Sequence, residues 1–145
     1  MAVELHAVEI PNGETIAYRE REGGEVPVVL VHGNMSSSVH YDVLIDALDD
    51  RYRVYAPDLR GFGESSYEEP IDSLSDFADD LAAWVEAAEI ETPFHLVGWS
   101  TGGGVATVYA AENPENVRRM ALISPVSTRG FSLYRKDEAG QPIPG

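Results

Sequence analysis

Ser100 stands two residues after Gly98 and two before Gly102. An apolar run, Phe94-His95-Leu96-Val97, leads into it, and a run of small residues, Gly103-Gly104-Val105-Ala106-Thr107-Val108, leads away. This order prescribes a strand, a sharp turn and a helix with a hydroxyl at the apex. Glycines flanking the serine let neighbouring backbone close in, and the strained turn lifts the side chain clear of the sheet. A hydroxyl so held becomes a useful nucleophile only beside a base and beside donors that stabilise an oxyanion.

The rest of the chain supplies a scaffold for such a turn. Val3 to Ile10 alternates imperfectly, Asn12-Gly13 follows, and Thr15-Ile16-Ala17-Tyr18 resumes a strand-like pattern, which predicts a hairpin. Val26 to Val31 is an apolar, β-branched run without alternation, suited to a strand buried on both faces of a parallel sheet. Tyr41, Leu44, Ile45 and Leu48 fall at helical spacing, and Arg53 to Ala56 reads as a short strand. Ser73 to Glu89 is the clearest helix, with Leu74, Phe77, Ala78, Leu81, Trp84, Val85 and Ala88 on one stripe. Ser73 is its expected N-cap, and Asp76 and Asp79 lie where the helix dipole favours acids. Asn113-Pro114 stops the helix after the elbow, and Val117 to Ile123 returns as a strand. Two antiparallel strands followed by strand–helix repeats imply an α/β fold: a doubly wound, mostly parallel sheet with an N-terminal antiparallel hairpin. Residues 1–124 are expected to form its core portion. The Gly- and Pro-punctuated stretch 125–145, ending in Pro142-Ile143-Pro144-Gly145, reads as loop or the start of a lid.

Composition narrows the partners. Acidic residues number 25 against 10 basic ones, and Lys136 is the only lysine, for a net charge of −15. Nucleic acid is disfavoured as a partner. So many like charges repel one another unless salt screens them, so the surface reads as that of a halophile. No secretory signal pattern and no apolar run of membrane-spanning length is present, so a cytoplasmic protein away from membranes is expected. Cysteine is absent, which excludes disulfides and thiolate metal sites. Neither Gly-x-Gly-x-x-Gly nor a phosphate-loop Gly-Lys-Ser/Thr occurs, so no cofactor is expected, and no metal site is suggested.

Three separated signatures coincide in order: Val31-His32-Gly33-Asn34, Asp58-Leu59-Arg60-Gly61-Phe62-Gly63-Glu64-Ser65, and the elbow Gly98-Trp99-Ser100-Thr101-Gly102. With them, residues 3 to 124 resemble the N-terminal half of the α/β-hydrolase superfamily, in the branch of carboxylesterases, C–C bond hydrolases and cofactor-free perhydrolases. The resemblance implies a serine hydrolase acting on a small-molecule ester or other carbonyl substrate. Ser100 would be the nucleophile, and the backbone N–H groups of Asn34 and Thr101 the oxyanion donors. His32, Gly33, Gly98, Gly102 and Asp58 would support them, His32 by orienting the oxyanion loop. Asp58 and Arg60 are expected to tie the glycine-rich turn through charge-assisted hydrogen bonds.

The chain departs from the family at one point. The triad order on this fold is Ser, then an acid, then His, yet no histidine follows Ser100. Glu112, Glu115, Asp137 and Glu138 lie downstream without the placement of a triad acid, and His6, His40 and His95 precede the elbow as scaffold residues. The triad acid and base are therefore unassigned. Truncation before them accounts for the gap, with an open sheet edge left to pair with a C-terminal segment or a second copy. The competing reading is a non-catalytic binding protein on the same scaffold, or one half of a split enzyme. The aspartate expected of dehalogenase and epoxide hydrolase relatives is replaced here by Ser100.

Overall fold

The computed structural model describes residues 2–129 and 137–141. Strands β1 (Val3–Glu9) and β2 (Thr15–Arg21) form the predicted hairpin, with Val3 opposite Arg21 and Glu9 opposite Thr15. Its turn closes through the Gly13 N–H on the Ile10 carbonyl, and Gly13 alone takes a positive φ, 90°. Asn12 takes part through its side chain: its oxygen accepts the Glu14 N–H, and its amide donates to Asp80.

Strands β3 (Val26–Val31), β4 (Tyr52–Pro57), β5 (Phe94–Trp99) and β6 (Val117–Ile123) complete a six-stranded sheet of order β1-β2-β4-β3-β5-β6. β3 pairs in parallel with β4 and β5, β5 pairs in parallel with β6, and β2 joins β4 antiparallel. The unalternating apolar run of β3 sits at the centre, where both faces are covered and Val29, Leu30 and Val31 have no exposure. That is the burial a parallel strand fed by crossover helices requires.

Helices cover both faces. Helices α2 (Leu74–Ala87) and α3 (Thr101–Glu112) pack one side, around Phe77, Trp84, Phe94, Leu96 and Tyr109. A single 3₁₀ turn, Ser38–Tyr41, and α1 (Asp42–Ala47) pack the other, around Leu30, Tyr41, Ile45 and Val54. Helix α2 begins where its sequence predicts, with Ser73 as N-cap in a capping box closed by Asp76. It ends two residues short of the expected Glu89, which takes a left-handed φ of 53°. The short α1 is held by Arg21, whose buried guanidinium donates to the carbonyls of Ile45, Leu48, Asp49 and Tyr52.

A buried charge network fastens the hairpin to α2. Arg60 meets Asp80 through two hydrogen bonds, at 2.7 and 2.5 Å, and lies 3.7 Å from Glu14. Glu14, fully buried, also accepts from the Ser66 hydroxyl and from the Glu68 and Glu69 amides.

Among the described residues β6 is one of the two edge strands, with Met120, Leu122 and Ile123 each at least 40% exposed. Residues 125–129 and 137–141 carry no helix or strand, and the remainder of the 125–145 segment, Pro142 to Gly145 included, lies outside the described residues. Among the described residues no helix is long and apolar enough to cross a membrane.

Candidate active site

Ser100 sits between the end of β5 and the start of α3 with φ 54° and ψ −120°. That backbone region is nearly reserved for glycine, and holding another residue in it costs about 1–3 kcal/mol. The strain is held by four hydrogen bonds. Ser100 N–H donates to the Ile123 carbonyl at 3.0 Å, while its carbonyl accepts the amides of Gly103 at 2.9 Å, Gly104 at 3.3 Å and Val126 at 3.0 Å. These partners lie beyond the five-residue motif, two of them at the end of β6 and just after it. Only the fold brings them to the elbow.

The flanking glycines are required by close approach. A Cβ on Gly98 would stand 2.5 Å from the Gly102 carbonyl oxygen and 2.7 Å from the Gly103 Cα. A Cβ on Gly102 would run into the carbonyls of Val31 and His32. Helix α3 thereby enters flush against the end of β3, where the loop after Val31 begins.

That loop lies directly beside the serine. A Cβ on Gly33 would be 3.0 Å from the Ser100 Cβ and 3.2 Å from the Trp99 carbonyl. Asn34 follows, exposed, and Met35 takes a positive φ of 53° at 90% exposure. Thr101 is the first residue of α3, so its N–H has no acceptor within the helix and points with the positive end of the helix dipole. Gly33 and Ser100 are in contact, and the two predicted donors, Asn34 and Thr101, each follow one of that pair in sequence.

His32 fixes the loop from behind. Its Nε2 accepts the Leu59 N–H at 2.9 Å, so the proton is on Nδ1, which donates to the Gly33 carbonyl at 2.8 Å. Burial is the main influence on its pKa and holds it below the usual histidine value, against smaller opposing effects from Gly33 and Asp58. The ring is neutral at pH 7, with both nitrogens engaged. Asp58 carries the next layer, accepting the Ser38 N–H at 2.6 Å and the Glu64 N–H at 3.0 Å.

The expected cooperation of Asp58 with Arg60 takes a different form. Their side chains serve separate partners: Asp58 the 38–41 turn and the Gly63–Glu64 turn, Arg60 the Glu14 and Asp80 carboxylates. The two side chains diverge from the loop after β4, so each ties it to a different neighbour.

No histidine bonds Ser100 among the described residues. His6 lies 3.5 Å from Glu20 on the hairpin. His40 faces Ser36 at 3.0 Å. His95 packs edge-on against Tyr52 on β5, its pKa lowered by burial and then by Arg118 and Arg119. Glu112 and Glu115 are exposed at the end of α3.

Residues 26–141 match the alpha/beta hydrolase fold family. The chain belongs to that family. It is 36% identical over 109 residues to a pimeloyl-[acyl-carrier protein] methyl ester esterase of Neisseria meningitidis serogroup C, covering 72% of this chain and 40% of the relative. It is also 36% identical over 118 residues to a cis-3-alkyl-4-alkyloxetan-2-one decarboxylase of Shewanella oneidensis, covering 78% and 36%. Among solved structures, a membrane phospholipase A superposes with a TM-score of 0.79 at 33% identity, covering 86% of this chain and 40% of that one. This α/β-hydrolase chain spans 30 to 44% of the length of the curated relatives it matches.

Proposed function

We propose that this chain is the nucleophile-bearing portion of a serine hydrolase that transfers the acyl group of a small-molecule ester to water. The observation that carries the reading is the conformation of Ser100: a non-glycine residue held at φ 54° at a strand–helix junction, against Gly33. A residue whose only task is packing gains nothing from that strain. The similarity to proteins named as a methyl ester esterase and a phospholipase A supports an ester as substrate.

In the proposed reaction the Ser100 Oγ attacks the ester carbonyl as its proton passes to a base. The carbonyl oxygen becomes an oxyanion between the amides of Asn34 and Thr101. Each such donor is worth about 3 kcal/mol to the transition state. The Ser100 amide is spent on Ile123, which leaves the Thr101 amide for this task. Collapse expels the alcohol and leaves an acyl-enzyme that water cleaves. His32 acts as a positioning residue, since its nitrogens already bind Gly33 and Leu59. In this proposal the acid and histidine of the triad come from polypeptide outside these 145 residues.

The 145-residue chain alone is expected to hydrolyse esters at background rate. Adding the remainder of a family-length product as a separate polypeptide is expected to restore turnover, as is expressing the two as one chain. If neither form hydrolyses any ester in a broad screen, the elbow is a relic on a binding scaffold and the reading fails.

The acidic surface supports adaptation to high salt. The thermal midpoint is expected to rise from dilute buffer to molar KCl as the −15 charge is screened. Equal midpoints in calorimetry would remove the halophile reading.

A further inference from the structure

A cavity of about 490 Å³ opens beside the elbow, between the start of α2, the inner face of α3 and residues 126–129. Thr101 lines it, and so does Val126, whose N–H reaches the Ser100 carbonyl at 3.0 Å. Both walls are therefore tied directly to the proposed nucleophile. Gly104 sets its shape: a Cβ there would stand 2.7 Å from Val126 Cγ2 and 2.9 Å from Leu74 Cδ1, so only glycine lets both side chains close on α3. Apolar Leu74, Val108 and Val126 share the lining with the hydroxyl residues Ser73, Ser75, Ser127 and Thr128 and with Arg129.

No carboxylate lines the cavity among the described residues. Asp76, near the same end of α2, is turned onto the amides of Asp72 and Ser73. Arg19, Arg51, Arg53 and Arg60 each meet a carboxylate and Arg21 is held by four carbonyls, whereas Arg129, like Arg118 and Arg119, makes no ion pair among the described residues, in a chain with 25 acidic side chains.

We propose that this cavity receives one arm of the substrate, an aliphatic segment ending in a carboxylate, with Arg129 as the specificity-determining residue. The inference rests on the reading of Ser100 as the acyl-transfer nucleophile. A chain of net charge −15 repels anions over most of its surface, so an anionic substrate needs a local guanidinium to be held. The planar fork of arginine pairs with a carboxylate through two parallel hydrogen bonds. Leu74, Val108 and Val126 cover the methylenes between that carboxylate and the scissile ester. A cavity of this size lies in the range of small-molecule sites.

The test is a titration of the ¹⁵N-labelled chain, followed by amide shifts, with monomethyl adipate and with methyl hexanoate. The two esters match in length and differ in terminal charge. The charged ester is expected to bind about ten-fold more tightly, the effect of one charge-assisted pair, with shifts at Thr101, Val108 and Val126. Arg129→Gln, at an exposed position, is expected to bring the two esters to equal affinity while the spectrum stays dispersed. Ser100→Ala is expected to keep the preference, since binding needs no nucleophile, so failure of the catalytic reading would show separately in hydrolysis assays. Equal affinity in the unsubstituted chain, shifts from neither ester, or a preference that survives Arg129→Gln would overturn the proposal.

Discussion

Arg60→Met is expected to destabilise the fold by about 3–5 kcal/mol, the cost of removing one partner from a buried charge network. Asp80 is 3% exposed and Glu14 has no exposure, and Arg60 neutralises both. Methionine fills similar space but leaves two carboxylates in an apolar setting with no cation. Urea denaturation followed by circular dichroism measures the loss, and a change below about 1 kcal/mol would show that the network is offset elsewhere.

The same network gives a pH dependence of definite sign. Burial alone would raise the Glu14 pKa, but the hydrogen bonds from Ser66, Glu69 and Glu68, together with Arg60, outweigh it and hold the carboxyl below its ordinary value. A depressed folded-state pKa contributes stability that is present above the unfolded-state value and is lost as pH falls through the folded one. The Arg60→Met penalty should therefore shrink in acid, where protonation of Glu14 relieves it of an unpaired charge.

Ser100→Ala, placed in the family-length protein, is expected to lower kcat for ester hydrolysis by about 10⁴- to 10⁶-fold. Deleting the nucleophile removes the acyl-enzyme route and leaves what the oxyanion donors and binding supply. Alanine must also occupy φ 54°, so the variant carries the same backbone strain and should keep the fold. Measured stability within about 1 kcal/mol of the parent separates lost chemistry from lost structure. Hydrolysis that persists at the parental rate would place the nucleophile elsewhere.

Much of this architecture is legible in the sequence because it is local. The apolar run of β3, the stripe on α2 with Ser73 before it, and the strand–Ser100–helix junction each declare themselves within a dozen residues. What binds them is long-range. Arg60 finds Glu14 and Asp80 across the sheet, where sequence proximity points to Asp58. Asn12 reads as a turn former and serves also as a ligand of Asp80. The Ile123 carbonyl and Val126 amide that brace Ser100 belong to the next strand and the loop after it, and nothing in their own neighbourhood marks them. Arg129 carries no motif at all. Its interest comes from the cavity it lines beside Thr101.

In the proposed reaction the hydroxyl of Ser100 is the group that attacks. The family-length protein should be incubated with an organofluorophosphonate and the adduct located by tryptic mass spectrometry. One phosphonyl group per molecule is expected, on the peptide containing Gly98-Trp99-Ser100-Thr101-Gly102, with loss of esterase activity in step with labelling. An active protein labelled on another residue, or left unlabelled here at full inactivation, would contradict it.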